Sequence, residues 1–177
     1  MPSQPTLRPF DTAVALRLLL VPEDRYEPMA DALVTSTSAV HRSVARLQQA
    51  ALCRPGSRTV IRPALLEFLR HGVRYAFPPV LGPERTGVPT TIAHPEVLRM
   101  LTNEADSRPL VWASDLGNAR GESIAPLFSG VPAVAARDPK LHEMLACVDV
   151  LRAGSDRERK VVGEWFSDRL VGTGVPS

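Results

Sequence analysis

Residues 26–62 read YEPMADALVTSTSAVHRSVARLQQAALCRPGSRTVIR and begin with two helical patterns. The first pattern covers residues 26–33, where apolar side chains recur on one face of a short helix. A polar cluster at residues 35–38 then supplies a turn and an N-cap, because Ser and Thr hydroxyls accept the unpaired N–H groups of a first helical turn. This stretch therefore predicts a helix-turn-helix unit.

The second helix of this unit has two faces of different chemistry. Helical spacing directs three apolar side chains inward: Val40, Val44 and Leu47. The opposite face carries three basic side chains: His41, Arg42 and Arg46. We expect the apolar stripe to dock the helix and the basic stripe to face outward.

The segment after the second helix contains the turn-forming sequence RPGSR at residues 54–58. Short strand-like stretches flank the turn, and arginines lie on both sides of it: Arg54, Arg58 and Arg62. A ribbon in this position is the wing of a winged helix-turn-helix, and its positive charges suit a DNA backbone.

The positive charge of the chain is localised. Residues 41–74 hold seven arginines and one acidic residue, Glu67, whereas residues 76–177 hold 11 basic and 13 acidic residues. A localised positive field attracts polyanions and speeds encounter with them. The alternative is a solvated arginine-rich face, since the whole chain uses 19 arginines and two lysines.

Residues 10–70 resemble bacterial winged helix-turn-helix transcriptional regulators, the broad group that contains the MarR-like repressors. The resemblance is carried by residues 29–33 as the positioning helix, residues 36–47 as the recognition helix and residues 52–54 leading into the wing. Ala30 matches the small residue that lets the two helices cross closely, and Val40 matches the apolar residue that pins the second helix.

Val34 departs from the pattern of these regulators, whose turn has glycine at this position. A β-branched residue at positive φ carries a steric penalty. Two outcomes are open: the turn uses another conformation, or the two helices meet at an altered angle.

The resemblance implies which side chains contact DNA. Hydroxyls at the start of the second helix would reach phosphates or base edges, with simple capping as the alternative. Arg42 and Arg46 are the best candidates for base or phosphate contacts, whereas His41 is weaker because it has the alternative of packing. The full predicted DNA-binding set is Ser36, Thr37, Ser38, His41, Arg42, Arg46, Arg54, Arg58 and Arg62.

The rest of the sequence completes an α+β, mostly α, fold in three predicted segments. Residues 1–72 form the winged domain, with further helices at residues 9–20 and 63–72. Residues 73–136 form a proline-rich α+β segment, and residues 137–177 form a C-terminal helical hairpin. Within the middle segment we predict strands at 73–77, 110–113 and 123–128 and a helix at 95–101.

Several functional classes find little support. The four histidines are scattered, and the sequence has neither a nucleophile elbow nor a glycine-rich phosphate loop, so we expect no catalytic residue. Cys53 and Cys147 suggest neither a zinc site nor a disulfide, and we expect no metal and no cofactor. Because residues 1–9 do not resemble a signal peptide and no apolar run could span a membrane, we expect a soluble cytoplasmic protein.

The sequence thus predicts a bacterial, sequence-specific regulator that binds double-stranded DNA. We expect a homodimeric repressor of its own promoter, or an antitoxin-like regulator, in which the C-terminal hairpin mediates dimerisation or binds a protein partner. The alternative is a winged-helix protein-interaction module that does not bind DNA. Val34 slightly favours the alternative, whereas the arginine-rich region opposes it.

Overall fold

A computed structural model describes residue 4, residues 6–102 and residues 105–172. The elements in chain order are α1 (Pro9–Leu20), α2 (Tyr26–Ala32), α3 (Thr37–Gln49), α4 (Arg62–Glu67), α5 (Val73–Ala76), β1 (Leu81–Thr90), α6 (Pro95–Met100), β2 (Leu110–Ala113), β3 (Ala119–Ile124), α7 (Val131–Arg137), α8 (Pro139–Ala153) and α9 (Asp156–Leu170). The fold is α+β and mostly helical, as the sequence predicts.

The first three helices begin where the sequence places them. Pro9 occupies the first turn of α1, where its missing N–H costs nothing, and the Asp11 carboxylate accepts the Arg8 N–H at 2.8 Å. Ser36 caps α3 by accepting the Ala39 N–H at 3.1 Å. Both α1 and α2 pack on α3 and bury its apolar stripe.

The turn between α2 and α3 keeps the left-handed conformation that glycine normally provides. Val34 has φ 52°, its side chain is 40% exposed, and the Thr35 N–H after it donates to the Ala30 carbonyl at 3.0 Å. Two outcomes were open for Val34: another turn conformation, or an altered angle between the helices. The first is therefore excluded. A β-branched residue in the left-handed region is strained by roughly 1–2 kcal/mol.

The turn at residues 54–58 is confirmed, but its flanking strands are minimal. Cys53 and Val60 form a β-bridge, and Gly56 takes φ +70° at the tip. The Gln48 side chain on α3 donates to the Ser57 carbonyl at 2.7 Å. This side-chain hydrogen bond fixes the hairpin against the second helix of the pair.

Residues 73–76 are helical, so the strand predicted at residues 73–77 is wrong. A π-helical turn (Phe68–Gly72) joins α4 to α5 without a break. The buried side chains of Leu69, Val73 and Phe77 recur every four residues, which is helical periodicity. The alternation of side chains at residues 73–77 is compatible with a strand or a helix. In the structure this segment continues the preceding helix.

The three strands close on one another as a small barrel. β1 pairs antiparallel with β3 along its first part and with β2 along its last four residues, and β2 pairs in parallel with β3. Gly87 lies where the strands converge, and a Cβ there would come within 2.0 Å of the Trp112 carbonyl oxygen. The close approach of the two backbones therefore requires glycine at this position.

The middle of the chain was predicted only in part. Strand β2 and helix α6 lie where the sequence placed them, whereas the strand predicted at residues 123–128 is displaced, since β3 ends at Ile124. Neither β1 nor α7 was predicted. Residues 81–90 contain two prolines and two glycines, and their strand conformation is stabilised by pairing with distant strands.

Helix α8 is the most deeply buried helix of those described, with Leu141 and residues 144–152 all buried. Asp138 caps it at Lys140 and Leu141, and Pro139 occupies its first turn. The helix contacts α1, α5, α6, α7, α9 and β1. Elements from all three predicted segments therefore share a hydrophobic core, and the α4–α5 helical run crosses the predicted boundary at residue 72.

His142 of this helix pairs with the buried His94. The ring centroids of His94 and His142 are 4.4 Å apart in an edge-to-face arrangement, and His142 Nε2 is 2.7 Å from the Pro89 carbonyl oxygen. His94 is 7% exposed, and its Nδ1 has no hydrogen-bond partner among the described residues. Burial, with a smaller effect of nearby His142, lowers the pKa of His94 from 6.5 to about 4.

We predict that Val34→Gly stabilises the protein by roughly 0.5–1 kcal/mol, because relief of the strained φ outweighs the added freedom of the unfolded chain. The measurement is urea unfolding monitored by circular dichroism. Val21→Gly is the matched control, since Val21 is a similarly exposed valine with φ −129°, and there we expect a loss of stability. Destabilisation by Val34→Gly would contradict the strained turn.

We also predict that His94 makes the fold acid-sensitive. Because the pKa of His94 is lower in the folded state, the unfolded state binds the extra proton, and stability falls as pH drops from 6.5 towards 4. Between pH 7 and 4.5 the loss from this group is roughly 2–3 kcal/mol. Urea unfolding at both pH values should show a smaller decrease for His94→Phe than for the unmodified protein; equal decreases would refute the assignment.

Candidate nucleic-acid interface

The outer face of α3 is exposed, polar and free of carboxylates. Its sequence, TSAVHRSVARLQQ, contains no acidic residue. The exposed side chains along this face are Thr37, Ser38, His41, Arg42, Ala45 and Gln49. Gln49 and Ala45 were missed as candidates, although their spacing from Arg42 places them on the same stripe.

Arg42 lies in the middle of this face. It is exposed, and its Nη1 donates to the Ser38 hydroxyl at 2.6 Å, one turn earlier on the helix. This hydrogen bond ties the guanidinium to the outer face of α3, and its other donors have no hydrogen-bond partner among the described residues. Of the three predicted hydroxyl contacts, Ser36 is used as the helix cap, whereas Thr37 and Ser38 are exposed in the first turn.

Arg46 does not lie on the outer face, and the prediction that it points outward is wrong. Its Nε and Nη2 donate to the two carboxylate oxygens of Asp11 at 2.8 and 2.7 Å. Ser43 donates to the same carboxylate at 2.7 Å, and the Asp11 side chain is 1% exposed. The hydrogen bonds that Arg46 donates to Asp11 raise the pKa of Arg46. Arg46 therefore anchors α3 to α1.

His41 and Arg58 contact the ring of Tyr26. The imidazole stacks on the phenol with ring centroids 3.5 Å apart and an interplanar angle of 20°. The Arg58 guanidinium lies 5.0 Å from the same ring, and its Nη2 donates to the Glu23 carbonyl oxygen at 3.3 Å. The Arg58–Tyr26–His41 stack joins the hairpin to α3. His41 therefore packs against another side chain, which was the alternative to a DNA contact.

The two remaining arginines of the hairpin differ in their surroundings. Arg54 is exposed at the turn, and within the described part of the chain its side chain has no hydrogen bond or ion pair. Arg62 is also exposed, but its Nη1 donates to the Arg169 carbonyl oxygen near the end of α9 at 3.3 Å. Arg54 therefore has the freest guanidinium group of the predicted contacts, and Arg42 is bonded only within its own helix.

The described residues contain neither a metal-binding cluster nor an exposed cysteine. Across residues 6–102 and 105–172, no group of three or more His, Cys, Asp or Glu side chains could hold a metal ion. Both cysteines are buried, and burial raises the pKa of Cys53 to about 11 and also raises that of Cys147, which keeps both as thiols. No helix in these ranges is long and apolar enough to cross a membrane.

Comparisons of this chain with protein-family models, with curated proteins and with solved structures found no match.

We predict that Arg46→Ala destabilises the protein by about 3 kcal/mol, because it leaves the buried Asp11 carboxylate without its cation. Arg42→Ala, four residues away on the same helix, should change stability by less than about 0.5 kcal/mol. Chemical unfolding of both variants is the measurement. Similar small effects for both substitutions would contradict the anchoring role of Arg46.

Proposed function

We propose that this chain is a sequence-specific DNA-binding regulator of the winged helix-turn-helix kind, in which α3 enters the major groove. The observation that carries the proposal is the outer face of α3, which is acid-free and presents Arg42 at its centre. An exposed arginine on such a helix can donate two hydrogen bonds to the O6 and N7 atoms of guanine. The left-handed turn at Val34 and the hairpin after α3 support the same proposal.

The contacts within the chain separate the predicted DNA-binding residues into those proposed to reach DNA and those that stabilise the fold. Arg42, Thr37 and Ser38 are proposed to reach base edges or phosphates, and Arg54 to reach the phosphate backbone from the hairpin. Arg46 instead fixes the orientation of α3, and the Arg58–Tyr26–His41 stack fixes the hairpin. This division predicts a modest number of phosphate contacts for each copy of the chain and a correspondingly modest dependence on salt.

A homodimeric repressor remains part of the proposal, since two copies would recognise two half-sites about one helical turn apart. Leu141, Leu145 and Phe166 of the C-terminal hairpin pack inside the chain, whereas Trp165 is half-buried. An apolar contact between copies through α8 and α9 would therefore use partly buried side chains such as Trp165 rather than the main apolar stripe. Sedimentation of the protein with and without DNA gives the number of copies directly.

The second candidate is a protein-interaction module that does not bind DNA. It is favoured by the internal use of Arg46, Arg58 and Arg62, each of which contacts another part of the chain. The two candidates differ in their response to salt, because DNA binding releases counterions from the phosphates that the protein neutralises.

We predict salt-sensitive binding of the protein to the DNA upstream of its own gene, measured by fluorescence anisotropy at two salt concentrations beside a scrambled duplex. Arg42→Ala should weaken binding by about tenfold or more and reduce the salt slope by about one phosphate equivalent. The control is Arg85→Ala, which removes an exposed arginine from β1 and should leave affinity unchanged. Binding that neither salt nor Arg42→Ala weakens, or no binding at low salt, would favour the interaction module.

A further inference from the structure

A cleft of about 340 Å³ lies between the end of α1, the start of α4 and the two C-terminal helices. The apolar part of its lining consists of Leu19, Leu20, Met144, Trp165 and Leu170. Its volume lies within the range of roughly 300–1,000 Å³ that is typical of small-molecule sites in proteins. The cleft is separate from the outer face of α3.

The polar lining of the cleft is mostly cationic. Three cations, Arg62, Lys140 and Arg169, face one carboxylate, Glu143. Arg169 Nη2 lies 3.7 Å from that carboxylate, and its guanidinium is 4.0 Å from the centroid of the Trp165 ring. The Lys140 ammonium has no hydrogen-bond or ion-pair partner within the residues that the structure describes.

We propose that this cleft binds a small organic anion with an apolar body, such as a medium-chain carboxylate. The apolar body would lie against the leucine and methionine side chains, where burial of its CH₂ groups favours binding. The anionic group would be placed between Lys140 and Arg62, whose charges Glu143 does not neutralise in full. Charge and apolar surface are both required, because neither feature by itself distinguishes this cleft from ordinary surface.

The choice of an anion follows from the distribution of cations in the C-terminal region. The chain has two lysines, Lys140 and Lys160, and the first lines the cleft whereas the second does not. Both are exposed and both lie on helices, so they form a matched pair in which the same substitution changes net charge equally. The proposal does not rest on DNA binding.

The experiment is titration of the full chain with decanoate, below its micellar concentration, while Trp165 fluorescence is monitored. Trp112 is 1% exposed in the core, so iodide quenching reports selectively on Trp165. Saturable protection of Trp165 is expected with decanoate. Acetate lacks the apolar body and decanol lacks the charge, and both should bind at least tenfold more weakly if both features are required.

Lys140→Glu should weaken decanoate binding by about tenfold or more, because it replaces a charge-assisted contact by repulsion. Lys160→Glu should change the affinity less than twofold. Equal weakening by the two variants would show a non-specific effect of net charge and would overturn the proposal. Absence of saturable binding, or decanol binding as tightly as decanoate, would also overturn it.

Discussion

The buried carboxylate of Asp149 joins the sheet to the helices. It accepts hydrogen bonds from the Thr90 hydroxyl at 3.0 Å, the Trp112 indole at 2.7 Å and the Arg152 guanidinium at 2.6 Å. Arg152 in turn donates to the Phe77 carbonyl oxygen at 2.8 Å. Burial raises the pKa of Asp149, whereas Arg152 and the two neutral donors favour its charged form. Because a buried charge is costly without such partners, β1, β2 and the end of α5 must all meet α8 at this point.

The same principle fixes the N-terminal helices. Asp11 is as buried as Asp149, and Arg46 and Ser43 provide its partners. A second arginine, Arg17, bridges Asp24 at 2.9 Å and Asp138 at 3.4 Å, which connects α1 to the cap of α8. Carboxylates paired with arginine thus occur at the junctions between helices. Apolar contacts alone would define the positions of these helices relative to one another less strictly.

The elements that could be predicted from the sequence are those specified by local signals. The polar cluster at residues 35–38 was predicted to contain the cap of α3, and Ser36 is that cap; Asp138 and Ser155 cap the two helices of the predicted C-terminal hairpin. Helical periodicity located the cores of α1, α3, α8 and α9. Strand β1 could not be predicted, because its residues pair with partners 20 to 43 positions away. The orientation of Arg46 depends on Asp11, which is 35 residues distant and was counted as part of another helix. Periodicity indicates a face but cannot show which partner neutralises a charge.

The charge count of residues 41–74 is therefore a poor measure of the positive surface. Arg46 is neutralised by a buried carboxylate, Arg58 lies over Tyr26 beside Glu23, and Arg62 donates to a carbonyl of α9. A guanidinium carries five donors on a planar fork, so it can stabilise the fold with some of them and still contribute charge to the surface with the rest. Arg62 illustrates this point, because it is exposed, contacts α9 and lines the cationic cleft. The functional surface of an arginine-rich chain consequently depends on which donors remain unused after folding. Of the predicted contacts, Arg54 has no hydrogen bond among the described residues, and Arg42 is bonded only within its own helix.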